Sequence, residues 1–275
     1  MRLLLHKVPA QHGLQWIRQG WQVFRSAPLP LSALLASYLV GWLLIGLLGS
    51  FGAALMLATL PLLSLVYMVA THLVLQKRPV GFAVWAQPFK LTRRRLHAQV
   101  QLGLLYVILT VGLMLLAHLL DGGALERLQQ VMGDAGRDEA GARAAEAALT
   151  AAIADPNFLA GLALRLGGAA LLSVPFWHAP ALVHWGGHGP LKALFSSCVG
   201  IWANRGAFAL NALAWFGLFL AASLIINLLA ALLQTPGLAT LLIFPVVLLC
   251  STVFYCGLYF TFVDCFRFAA DETGS

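Results

Sequence analysis

Six apolar stretches, each long enough to cross a bilayer, constrain this chain more than anything else in it. A transmembrane helix needs about 20 mostly apolar residues to cover the roughly 30 Å of hydrocarbon. Residues 29–48, 51–75, 100–120, 158–183, 207–233 and 238–262 each meet that length. Only Gly49 and Ser50 separate the first two, and the turn sequence Gln234-Thr-Pro-Gly237 separates the last two, so each of these pairs reads as a hairpin. Hydrophobic residues fill 60% of the 275 positions and charged residues 10%, where a soluble domain carries about 45–50% and about 25%. Lipid must cover that excess. The expected fold class is all-α and polytopic, a single integral membrane domain over 1–275 with six transmembrane helices.

A net charge of +7 raises nucleic-acid binding, but the placement of the charges argues against it. Arg2, Lys7, Arg18 and Arg25 precede the first span, and Lys77, Arg78, Lys90, Arg93, Arg94 and Arg95 lie between the second and third. Lys192 and Arg205 precede the fifth, and Arg267 follows the sixth. The alternate segments hold only Arg127, Arg137 and Arg143. Lys and Arg collect on the cytoplasmic side, so both termini are expected there and no nucleic-acid partner is implied. The amino end, Met1-Arg-Leu-Leu-Leu-His-Lys7, lacks the apolar run and cleavage site of a signal peptide, so the first span is expected to direct insertion.

The segment 121–156 is the one soluble-looking stretch. It carries Asp121, Glu126, Asp134, Asp138, Glu139, Glu146 and Asp155, and its alanine-rich middle favours helix. Leu125, Leu128 and Met132 share one helical face, which predicts an extracytoplasmic acidic helical hairpin. Asp155-Pro156 opens the fourth span, with proline in the first turn. Three cytoplasmic segments, 10–27, 80–97 and 189–205, read as amphipathic interfacial helices, each leading into a pair of spans. Their apolar edges are Leu14, Ile17, Trp21 and Phe24; Phe82, Trp85 and Phe89; and Leu191, Leu194, Cys198, Ile201 and Trp202. The pattern predicts three tandem repeats of interfacial helix plus transmembrane hairpin. Arg18, Arg25, Lys90, Arg93, Arg94 and Arg95 are the candidate contacts to anionic headgroups of the bilayer.

The stretch Phe176-Trp-His-Ala-Pro-Ala-Leu-Val-His-Trp185, with Gly189-Pro-Leu-Lys-Ala-Leu-Phe-Ser-Ser197, Asn204 and Arg205, resembles a family of uncharacterised integral membrane proteins of proteobacteria. Gly13-Leu-Gln-Trp-Ile-Arg-Gln-Gly-Trp21, Phe24 and Pro28 resemble that family's opening, so the likeness covers nearly the whole chain. It implies a bacterial inner-membrane location and no particular substrate, and it offers no catalytic residue to carry over.

Polar and kinked positions inside the spans are the remaining candidates. A charge at the bilayer centre costs about 2.5–3.5 kcal/mol on insertion scales. Arg165 therefore either snorkels outward or faces the bundle interior and holds an anionic group. Asn211 and Asn227 are expected to hydrogen-bond neighbouring helices. Pro175 and Pro180 interrupt the fourth span around Trp177 and His178, and broken helices mark sites in some transporters. His178, His184 and His188 lie close together, the last two at ligand spacing. Gly186 and Gly187 interrupt any helix there and no carboxylate or cysteine completes a set, so no metal or cofactor is assigned. His72 and His118 lie near opposite ends of their spans, too far apart for a haem pair. Asp264 and Arg267 are spaced to pair with each other. The four cysteines, Cys198, Cys250, Cys256 and Cys265, form no CxxC and read as small buried hydrophobes.

No Asp or Glu falls mid-span, and no G-x-S-x-G, HExxH or P-loop is present. Three readings remain open. The first is a non-enzymatic organising, assembly or accessory protein with a membrane-protein partner. The second is a transporter or channel for a small or lipid-like solute. The third is a histidine-ligated haem or metal protein.

Overall fold

A computed structural model describes residues 2–134, 139–235 and 237–269. Arg137 and Asp138 of the acidic segment and Pro236 of the last turn lie outside the described residues. In chain order the elements are β1 (Arg2–Leu5), α1 (His12–Ser26), α2 (Pro28–Gly46), α3 (Gly49–Leu75), a 3₁₀ helix (Phe82–Phe89) and α4 (Arg93–Asp121). They continue with α5 (Ala124–Asp134), α6 (Glu139–Ala154), α7 (Pro156–Phe176), α8 (Ala179–His184), α9 (Pro190–Ala203), α10 (Arg205–Leu232), α11 (Gly237–Cys265) and β2 (Phe266–Ala269). Six helical stretches are long and apolar enough to cross a membrane: α2, α3, α4, α7 with α8, α10, and α11. The chain is an all-α polytopic membrane protein.

Two compact units divide the chain, one of residues 1–103 with 175–275 and one of 104–174. In the first, α2 and α3 form the expected hairpin, turned by Gly49 at φ +65, a left-handed backbone that glycine adopts without steric cost. A hydroxyl in an apolar medium must find an acceptor. Tyr67 donates to the Leu31 carbonyl (2.7 Å) and Tyr38 to that of Met56 (3.0 Å), tying the two helices together. Leu31, Leu34, Leu63, Val66 and Cys256 pack around them in the core.

Helix α1 packs on α10 and α11 by a face that differs from the expected one. The buried residues are Gly13, Trp16, Gly20 and Val23, while Leu14 and Trp21 of the predicted edge are exposed. The reason is close backbone approach: a β-carbon on Gly20 would stand 2.7 Å from the Val253 carbonyl oxygen. Helices in membranes favour small residues where their backbones meet, and here the glycines bring α1 close enough to bury Trp16 fully. Helix α9 repeats the pattern, burying Ala193, Ser197 and Gly200 and leaving Leu191, Cys198 and Trp202 exposed.

The second predicted interfacial helix is corrected. Instead of one helix over 80–97, the chain forms the short 3₁₀ helix and then α4, which begins at Arg93 and runs straight into the span. Pro88 lacks an N–H and restricts Gln87, which disfavours an α-helix through this stretch. The three segments ahead of the hairpins therefore share no common conformation.

The chain ends pair antiparallel, Leu3 opposite Phe268 and Leu5 opposite Phe266, an arrangement that an even number of membrane crossings allows. Beside this ribbon, Asn204 accepts from the Val8 N–H (2.8 Å) and donates to the His6 carbonyl (3.0 Å). Asp264 does not pair with Arg267 as its spacing suggested. Its carboxylate accepts from Trp16 Nε1 (2.8 Å) and lies 3.0 Å from His12 Nδ1, while Arg267 belongs to β2 opposite Leu4. Cys265 and Cys256 are buried, Cys250 is half-buried and Cys198 exposed. The second unit contains the end of α4, most of α7, and α5 packed against α6.

Candidate functional site

Arg165 and Asp121 form the most demanding polar contact in the spans. The side chains are 8% and 0% exposed, and Arg165 Nη1 donates to Asp121 Oδ2. Nη2 donates to Glu126 Oε1 at 3.4 Å, and that oxygen lies 3.2 Å from His118 Nδ1. The local backbone brings this about. Asp121 ends α4, and Gly122 and Gly123 (φ +56 and +80) turn the chain into α5, where the Gly123 N–H bonds the other Asp121 oxygen at 2.9 Å. On α7, Gly161 leaves room one turn before Arg165; a β-carbon there would stand 2.8 Å from that of Asp121. Hydrogen bonding from its own backbone N–H, and then from His118, holds the Glu126 carboxyl below the usual carboxylate range. Arg165 thus faces inward rather than snorkelling, and the anion it holds is the chain's own.

Potential ligand atoms of His118, Asp121 and Glu126 lie within 4.8 Å of one another. The Arg165 guanidinium already engages both carboxylates, and a divalent cation would have to displace it. The cluster reads as a staple holding the α4–α5 turn against α7.

The fourth span is broken where the prolines predict. Helix α7 ends one residue after Pro175, and Pro180 lies in the first turn of α8, where the missing N–H costs nothing. The Pro180 carbonyl accepts from Gln99 Nε2 at 2.8 Å. His178, in the break, is fully buried among the rings of Phe208, Phe262 and Phe266. Its Nε2 lies 2.8 Å from Thr261 Oγ1, whose one proton goes to the Leu258 carbonyl. Whichever ring nitrogen carries the proton, the buried Nδ1 has no hydrogen-bond partner among the described residues.

The other two histidines do not join it. Gly187 adopts φ +65 and ends the helix, so the spacing of His184 and His188 is not helical. The His184 carbonyl accepts from Arg95 Nη1 at 2.9 Å, and its ring meets Trp185 edge-on. Burial, and then Lys192, pushes His188 below the ordinary imidazole range. Among the described residues these three make no ligand set.

The asparagines part company. Asn211 donates to the Gly13 carbonyl (2.8 Å) and so links α10 to α1, as expected. Asn227 does not reach a neighbouring helix: exposed, it donates to the Ser223 carbonyl one turn back (2.8 Å). Arg18, Arg25, Lys90, Arg93 and Arg94 are exposed, and Arg95 is half-buried. The Arg165 partner was hidden in the sequence because Asp121 reads there as the first acid of a soluble segment, 44 residues away.

No known family profile matches the chain, and no solved structure matches it. A protein of Burkholderia thailandensis described as a probable inner membrane protein is 30% identical over 267 residues, covering 95% of this chain and 93% of the relative. Likeness on that scale extends through all six spans, so the chain belongs to the same family of proteobacterial inner membrane proteins.

Proposed function

We propose that the chain is a non-enzymatic accessory protein that organises or assists another membrane protein, and that α5 and α6 form the surface it offers. The carrying observation is that Arg165, the buried charge of the spans, is neutralised inside its own unit by Asp121 and Glu126. A carrier for an anionic solute would need that charge free. The distribution of Lys and Arg supports a reading with both termini in the cytoplasm and α5 and α6 outside. There Met132, Leu149 and Ile153 are exposed beside Glu126 and Glu146, which fits a partner whose outer surface is basic with an apolar centre.

The test is purification in mild detergent after crosslinking in cells. A stoichiometric membrane-protein partner is expected, and Leu149→Asn with Ile153→Asn should release it without changing thermal unfolding. These substitutions leave Asp121 and Glu126 in place, so the staple survives. If no crosslinked partner forms, or the paired substitutions leave it bound, this reading is lost.

The break at His178 favours a second reading, a carrier for a small or lipid-like solute, because a buried imidazole nitrogen there has no hydrogen-bond partner among the described residues. Solute uptake into vesicles that Pro180→Ala abolishes, with folding intact, would put this reading first.

A further inference from the structure

The end of α3, the polar face of α1 and the chain after α3 enclose an open cleft of about 910 Å³. Gln19, Gln22 and Ser26 line it from α1, and Lys77 and Arg78 from the segment after α3. Val74, Val80, Pro30 and Phe260 supply an apolar wall. Among the described residues no carboxylate lines it, and the side chains of Lys77 and Arg78 make no hydrogen bond or ion pair.

A left-handed helix ending, which α10 also has at Gln234, delivers the two cations. Lys77 N–H bonds the Val74 carbonyl and Arg78 N–H the Leu73 carbonyl, both at 2.9 Å, with Lys77 at φ +56. This is the helix ending in which glycine normally takes the left-handed position. A lysine there is strained by about 1–2 kcal/mol, and such strain collects at functional positions. Complementing the helix dipole or fixing orientation would ask for positive charge near this end, but not for a lysine at the one position that suits glycine.

We propose that this cleft binds the phosphodiester headgroup of an anionic glycerophospholipid. Lys77 and Arg78 hold the phosphate, and the acyl chains lie along Val74, Val80 and Phe260. The apolar wall and the position at the end of a span favour a lipid over a soluble phosphate compound. The site is independent of the docking surface on α5 and α6.

The experiment is native mass spectrometry of the delipidated full chain titrated with phosphatidylglycerol, phosphatidylcholine or glycerophosphate. Phosphatidylglycerol should bind, and Lys77→Gln with Arg78→Gln should weaken it about tenfold or more. Lys77→Gly should raise the unfolding temperature yet also weaken binding. Arg93→Gln with Arg94→Gln removes the same charge from an exposed site and should change affinity less than about twofold. Equal losses in the two double variants, or equal binding of phosphatidylcholine, would overturn the proposal. Glycerophosphate binding as tightly as the lipid would overturn it in favour of a soluble ligand.

Discussion

A β-carbon on Gly13 would stand 2.3 Å from the carbonyl oxygen of Ala207 and 2.8 Å from the backbone nitrogen of Asn211. Both atoms belong to the backbone of α10, which cannot swing aside as a side chain could. Gly13→Ala should therefore force α1 off its seat, and Gly20→Ala, against Val253 and Gly257, should do the same. Overpacking of this kind costs about 1–3 kcal/mol, occasionally more. Gly217→Ala is the control: nothing lies within 4 Å of its missing β-carbon, and alanine is the better helix former. Thermal unfolding in detergent should fall for the first two variants and stay level or rise for the third. Equal effects at Gly13 and Gly217 would show that α1 is not packed backbone to backbone.

Arg165→Leu leaves the Asp121 carboxylate buried and unpaired, a situation that costs about 3–5 kcal/mol in buried pairs. Asp121→Leu leaves the guanidinium only its longer contact to Glu126 and should cost less. The double variant removes both charges and should recover most of the loss, because two apolar side chains suit this setting. A double-mutant cycle read by reversible unfolding in detergent measures the coupling. Additive losses would mean that the two side chains do not act as a pair.

Glu126 adds a pH dependence whose sign follows from its lowered carboxyl. A folded-state value below the ordinary 4.3 or so stabilises the charged form. The contribution is complete above that ordinary value and is lost as pH falls through the lower folded one. Hydrogen-exchange protection of the first turns of α5, corrected for intrinsic exchange, should hold from about pH 7 to pH 5 and drop below about pH 4. Glu126→Gln should show a smaller drop over the same range. An unchanged drop would place the titration elsewhere.

The spans were legible because crossing length and apolar content can be counted along the chain. The seating of α1 and α9 was not, because periodicity registers the bulky stripes whereas small residues set the close contacts, and Trp16 lies off the stripe read on α1. Leu14, Trp21, Leu191 and Trp202 form the visible stripes and stay exposed, while Gly13, Gly20, Ala193 and Gly200 make the contacts. The break at His178 was legible from two prolines. The partners of Arg165 and Asp264 were not, since Asp121 and Trp16 lie 44 and 248 residues away. Local spacing instead paired Asp264 with Arg267, a residue that the terminal ribbon takes up.

Asn211 and Asn227 allow this distinction to be tested with one chemistry at two sites. Both carry the same amide on α10, but Asn211 spends it on the Gly13 carbonyl of α1 and Asn227 on its own helix. An interhelical bond in a membrane protein contributes about 0.6–2 kcal/mol, whereas an exposed residue that bonds its own turn contributes within about 0.5 kcal/mol. Asn211→Ala should lower the unfolding temperature and loosen α1, seen as faster hydrogen exchange over His12–Ser26. Asn227→Ala should leave both unchanged. Should Asn227→Ala prove the more damaging, α10 would have to meet another helix, or a partner, through the face that carries Asn227.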